Sequence, residues 1–145
     1  MRADWRECPT GYKGATGRWA AFYVTMNRKG EIVLSGPTYQ KMGEPTAVNL
    51  LFDTVNSRIG LKPTALAMRN AVRVGIRGSH GGRVVRAYPM MQEFRISLPE
   101  TIRFYDADID DDGILILDLR TARVPPQVLK NASRKKRLLA EGTGS

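Results

Sequence analysis

The chain is poor in the residues that carry most catalytic and covalent chemistry. Among its 145 residues there is one cysteine, Cys8, and one histidine, His80. A lone cysteine excludes an internal disulfide, and no Cys/His spacing suits a zinc site. No Ser/His/Asp or Cys/His order is present, and no glycine spacing fits a Walker or dinucleotide motif. These absences point away from an enzyme and from any metal or cofactor. No apolar run approaches the roughly 20 residues that span a bilayer. The opening MRADWRECPTGYKG lacks the apolar stretch of a secretory signal. The expectation is a cytoplasmic protein with no membrane partner. Acid is scarce as well: 14 Asp and Glu stand against 23 Lys and Arg, a formal net charge of +9. That surplus suits a polyanion, because neutralising phosphates releases condensed counterions.

What is present is mostly strand. Residues 1–20 read as an irregular N-terminal arm, with Trp5, Tyr12 and Trp19 among glycines and polar residues. The segment AFYVTM then alternates, with Phe22, Val24 and Met26 on one face. Asn27-Arg28-Lys29-Gly30 is a tight turn and EIVLS the returning strand. Ser35 can cap a short helix over PTYQKM, closed by Gly43. AVNLLFD and RIGLKP are further strands.

The second half repeats this order. VRVGIRG is a strand, Ser79-His80-Gly81-Gly82 a turn, RVVRA a strand, YPMMQEF a short helix, IRFYD a strand, DIDDDG a turn and ILILDL a strand. Gly30 and Gly82, Val33 and Val85, Pro37 and Pro89, and Gln40 and Gln92 each stand 52 residues apart. Asp53 and Asp106 agree after a shift of one. The division is a first unit over 21–63, a linker over 64–71, a second unit over 72–120 and a basic tail over 121–145. A two-turn helix and a few strands cannot bury an apolar face or cover strand edges alone. Two such units are expected to interlock about a pseudo-two-fold axis into a small barrel, giving a mainly β (α+β) fold. The expected core is Phe22, Val24, Ile32, Leu34, Val48, Leu50 and Phe52, then Val72, Val74, Val84, Ile102, Phe104, Leu115 and Leu117.

VTMNRKGEIVLSGPTYQKMGEP, with the strand pair LLFD…RIGLKP after it, resembles the AbrB/MazE/MraZ superfamily of swapped-hairpin barrels. Tandem duplication in one chain is most similar to the MraZ form, and the pattern covers roughly residues 21–120. The resemblance implies a compact β-barrel, homo-oligomerisation and binding of double-stranded DNA through basic residues around the first hairpin. Arg28, Lys29 and Arg83 match basic positions of that pattern. Asn27 and Ser79 stand where the pattern has aspartate, and Glu31 stands where it has arginine.

The densest basic cluster is Arg69, Arg73, Arg77, His80, Arg83 and Arg86. Alternation along VRVGIRG places Arg73 and Arg77 on one strand face, with Arg83 and Arg86 across the turn. Grouped arginines of this kind grip phosphates or read guanine. The run Asp108-Ile109-Asp110-Asp111-Asp112-Gly113 mimics the start of a calcium loop, but Leu119 stands where the bidentate glutamate is needed, which favours a plain hairpin turn. Pro125-Pro126 opens a tail carrying Arg134, Lys135, Lys136 and Arg137, suited to salt-dependent contact with nucleic acid. The expected function is regulatory binding of duplex DNA through Arg28, Lys29, Arg73, Arg77, Arg83 and Arg86, with those four tail residues adding affinity. The alternative is a protein–protein module, either an oligomeric scaffold or an antitoxin-like partner of a toxin.

Overall fold

The computed structural model describes residues 21–126. The expected arm over 1–20, and Arg134, Lys135, Lys136 and Arg137 of the tail, lie outside the described residues. Along the chain run β1 (Val24–Met26), β2 (Glu31–Leu34), α1 (Gly36–Lys41), β3 (Ala47–Asp53), β4 (Arg58–Thr64), β5 (Val72–Arg73), β6 (Gly75–Arg77), β7 (Gly82–Arg86), α2 (Tyr88–Glu93), β8 (Ile102–Arg103), β9 (Asp108–Ile109) and β10 (Leu115–Asp118). The fold is mainly β. The strands form two five-stranded sheets, the first in order β6-β7-β2-β1-β8 and the second in order β5-β3-β4-β10-β9. All pairings are antiparallel. No helix among the described residues is long and apolar enough to cross a membrane.

Both sheets are built jointly by the two halves of the chain. At the heart of the first sheet β2 pairs with β7, Ile32 opposite Val85. In the second sheet β4 pairs with β10, Leu61 opposite Leu115. Among the described residues neither half has a sheet of its own. The ladders do not close into the expected barrel: among the described residues no strand pair joins one sheet to the other. The edge strands β5, β6, β8 and β9 are only two or three residues long. Strands that short cannot curve round to meet across the gap.

The core lies between the sheets. Val24, Met26, Ile32, Leu34 and Val85 come from the first sheet, and Val48, Ile59, Leu61, Leu115 and Leu117 from the second; all are fully buried. Alternation in β1, β2 and β10, and Ile59 and Leu61 on either side of Gly60 in β4, deliver most of them, and each buried aliphatic side chain is worth about 1.5–3 kcal/mol. Phe22, Leu50, Phe52, Val72, Val74 and Ile102 of the expected core are only partly buried. Ile59, Leu61, Met90 and Met91 belong to the core without having been expected there.

The clasp has a second, reciprocal part. Gly30, in the first hairpin turn, lies on the start of α2, where an added Cβ would stand 2.7 Å from the Tyr88 amide nitrogen and 2.8 Å from its Cα. The Ala87 N–H donates to the Gly30 carbonyl at 2.7 Å. In mirror fashion Gly81, in the second hairpin turn, packs its backbone on Gly36 at the start of α1. Gly30 and Gly81 share the left-handed conformation, with φ of 80° and 83°. The turn glycine matching Gly30 is therefore Gly81, not Gly82, which opens β7. The helices keep the 52-residue offset, with Pro37 and Pro89 both in a first turn.

Two expectations on strands are corrected. VRVGIRG is not one strand. It divides at Val74, with β5 joining the second sheet and β6 the first. The Val74 N–H donates to the Thr46 carbonyl, which turns the chain from one sheet to the other. Within IRFYD only Ile102 and Arg103 are strand.

Candidate nucleic-acid interface

The turn Asn27-Arg28-Lys29-Gly30 is shaped by Asn27. Its side-chain oxygen accepts from the Lys29 and Glu31 N–H groups at 3.0 Å each. The Gly30 N–H closes onto the Asn27 carbonyl at 3.0 Å. Held this way, Arg28 and Lys29 are both exposed at the tip.

Just beyond the turn stands Glu31, among the described residues the sole carboxylate in the strands of the first sheet. The Asn27 amide donates to it at 2.9 Å, and the Arg77 guanidinium donates at 3.2 Å. Glu31 also pairs directly with Arg86 across the β2–β7 ladder. The Asn27 hydrogen bond, aided by the charges of Arg77, Arg86 and Lys29, holds the Glu31 carboxyl below the usual carboxylate range. Lys29, Arg77 and Arg86 thus gather about one acid and, among the described residues, outnumber it by two charges.

The other expected contacts are placed differently. Arg73 is exposed, but it lies on β5 in the second sheet, so it shares no face with Arg77. Arg83 turns back on the protein. Its guanidinium donates to the Gly81 and Gly82 carbonyls and lies 4.6 Å from the Tyr39 ring centroid. Arg69 is exposed in the loop before β5, where its carbonyl accepts from the Asn49 amide. His80 lines a cleft of about 180 Å³ under the second hairpin turn, together with Tyr23, Ser35 and Arg77.

The two hairpin turns stand at opposite ends of the first sheet, because β2 and β7 run antiparallel. At 3.3 Å per residue they are roughly 20 Å apart. They do not form one basic cluster. The cluster that forms joins the first turn to Arg86, at the neighbouring end of β7, and to Arg77, which reaches Glu31 from the second-turn end of β6.

Two functional candidates escaped the sequence reading. Arg103 on β8 pairs with Thr25 and stands 5.4 Å from the Tyr23 ring centroid and 5.0 Å from that of Tyr105. No strand periodicity marked the pair, because β8 ends at Arg103 and Tyr105 lies in the turn after it. Arg95 follows α2 and, with Arg28, lines a groove beside the first turn. Nothing local in the sequence marks it. It comes to Arg28 only through the clasp.

The Asp108–Gly113 run is part strand, part turn. Asp110 accepts the N–H groups of Asp112 and Ile114 at 2.9 Å each. Among the described residues no group of three or more His, Cys, Asp or Glu is placed to hold a metal.

No protein-family model, no curated protein and no solved structure matches the chain.

Proposed function

We propose that this is a regulatory protein that binds duplex DNA without catalysis, using the solvent face of the first sheet and the first hairpin turn. The observation that carries this reading is the gathering of Lys29, Arg77 and Arg86 about Glu31, beside exposed Arg28. Arg103 extends the same face. A chain of net charge +9 supplies the long-range attraction. The residues assigned to phosphate are Arg28, Lys29 and Arg86, with Arg77 released from Glu31 as phosphate approaches. Arg73, Arg83 and the tail arginines and lysines take at most a secondary part. The clasped pair of hairpin–helix units supports the swapped-hairpin resemblance as the fold's relationship.

A second copy of the chain is the other partner proposed. The strands of the second sheet carry Arg58, Lys62 and Arg73 against Asp53, Asp108 and Asp118, an even balance in a strongly basic protein. Leu51, Gly60 and Ile116 line up across the middle of its outer face. A charge-balanced face of this kind suits self-association better than a polyanion.

The test is an anisotropy titration of full-length protein against a duplex at two salt concentrations. The double variant Arg28→Ala, Lys29→Ala should bind more weakly and flatten the plot of log K against log salt by about 2. Absence of binding by the unaltered protein at low salt sinks the reading. An unchanged slope removes the first turn from the interface. Sizing of the free protein reads the self-association.

A further inference from the structure

The groove between the first hairpin turn and α2 was not part of any expectation. Arg28 comes to it from the first unit and Arg95 from the second. Tyr88, Gln92 and Ser97 complete its polar lining, and among the described residues no carboxylate lines it. Its volume is about 420 Å³, within the roughly 300–1,000 Å³ of small-ligand sites. Tyr88 is 50% exposed, a large aromatic surface left in water.

A second, independent observation concerns Arg95. Both helices end in the same way. After α1, the Gly43 N–H donates to the Gln40 carbonyl and the Glu44 N–H to the Tyr39 carbonyl. After α2, the Arg95 N–H donates to Gln92 and the Ile96 N–H to Met91, each 52 residues on. Gly43 and Arg95 therefore occupy one position in two copies of a motif, and both are left-handed, with φ of 87° and 54°. Glycine is the inexpensive residue there. The second unit places an exposed arginine in a conformation unfavourable to it. Glu44, Ser57 and Asn70 share this conformation, but Arg95 alone of the four lines this groove.

The geometry points to a nucleotide-binding groove: phosphate held between Arg28 and Arg95, and an unstacked base laid on the Tyr88 ring. Two guanidinium groups suit a phosphate dianion or diester. An exposed tyrosine suits stacking on any base face, and Gln92 and Ser97 can hydrogen-bond a base or sugar edge. The inference deepens the DNA-binding reading, since it adds a site for a nucleotide that duplex phosphate contacts alone do not use. The nucleotide can be free or part of a single strand.

The experiment measures binding of AMP, adenosine, ribose 5-phosphate and a short single-stranded DNA to full-length protein, with the duplex titration run in parallel. AMP is expected to bind at least tenfold more tightly than adenosine or ribose 5-phosphate, because each lacks one half of the recognised unit. Arg95→Gly and Tyr88→Ala should each weaken AMP or single-strand binding at least tenfold, and Tyr88→Phe should retain it. Arg95→Gly should leave Tm unchanged or raise it, since glycine suits the left-handed position. A merely structural arginine gives the opposite pattern, with a lower Tm and unaltered binding. Binding of single strands but not AMP assigns the groove to the polymer, and binding of both assigns it to nucleotides in general. If neither binds, or if Arg95→Gly and Tyr88→Ala leave both unaffected, the assignment is overturned. Duplex binding that persists in that case leaves the first-turn reading intact.

Discussion

Glu31 is a carboxylate in a place that phosphate would avoid, and its surroundings keep it charged. The hydrogen bond from the Asn27 amide is the largest influence, and Arg77, Arg86 and Lys29 add to it. A carboxyl whose folded pKa is depressed contributes stability above its unfolded pKa and loses it as pH falls through the folded value. The loss therefore falls on the acid side of the ordinary glutamate range. Asp53 behaves in the same direction, held by the Asn56 side chain and the Asn56 and Val55 N–H groups. Glu31→Gln should lower Tm on the neutral plateau, approach the unaltered protein at acid pH, and so show a shallower acid-side fall. Thermal melts from neutral to acid pH check this. Identical acid limbs in the two proteins would show that Glu31 gains nothing from its arginines. The arginine cluster was visible in the sequence as a list of residues. Its division was not, because which guanidinium meets Glu31 and which folds onto Tyr39 depends on the β2–β7 register.

Turns were the most legible elements. The Asn27–Glu31 turn and the Asp110–Ile114 turn use one geometry: a leading Asn or Asp oxygen accepts two N–H groups, and a left-handed glycine closes the loop. One tip presents Arg28 and Lys29, the other Asp111 and Asp112. Local chemistry settles these turns, so residues in sequence order suffice to find them. The helix starts were half legible. Ser35 accepts from the Thr38 and Tyr23 N–H groups and meets the Thr38 hydroxyl at 2.7 Å. At the matching place in the second unit, Ala87 has no such oxygen and donates its N–H to Gly30 instead. The break at Val74 was illegible, because VRVGIRG alternates well throughout, and only tertiary pairing with Thr46 divides it. Gly30 joins turn and clasp in one residue. Gly30→Ala should cost roughly 3 kcal/mol, from the left-handed backbone and the forced contact with Tyr88 together. A denaturant titration measures it. Gly113→Ala, with φ of 81° but open space around it, should cost only the backbone part, about 1 kcal/mol. Equal losses at the two glycines would remove the clasp from the account of Gly30.

At the scale of the molecule, charge is sorted by sheet. The strands of the first sheet hold Arg77, Arg83, Arg86 and Arg103 against Glu31, while those of the second are balanced. All four arginines come from the second half and Glu31 from the first, and the clasp brings them onto one sheet. The repeat was readable from element order and from the 52-residue spacing. Exposed edges alone imply the exchange of strands, but the closed barrel that they equally imply does not form among the described residues. The clasp makes a demand that a chain of two independent domains does not. The connection over residues 65–70 is exposed throughout and lies between β4 and β5, so it can be cut without breaking a ladder. After a cut there, the two fragments should remain together under native conditions, held by the β2–β7 and β4–β10 ladders and the shared core. They should separate only in denaturant, and each alone should lack the β circular-dichroism signal. Sizing chromatography of the cut protein, before and after denaturant, makes the measurement. Fragments that part in native buffer and keep their strand signal would mean that each half can cover its own edges, and the physical reason for the shared sheets would be lost.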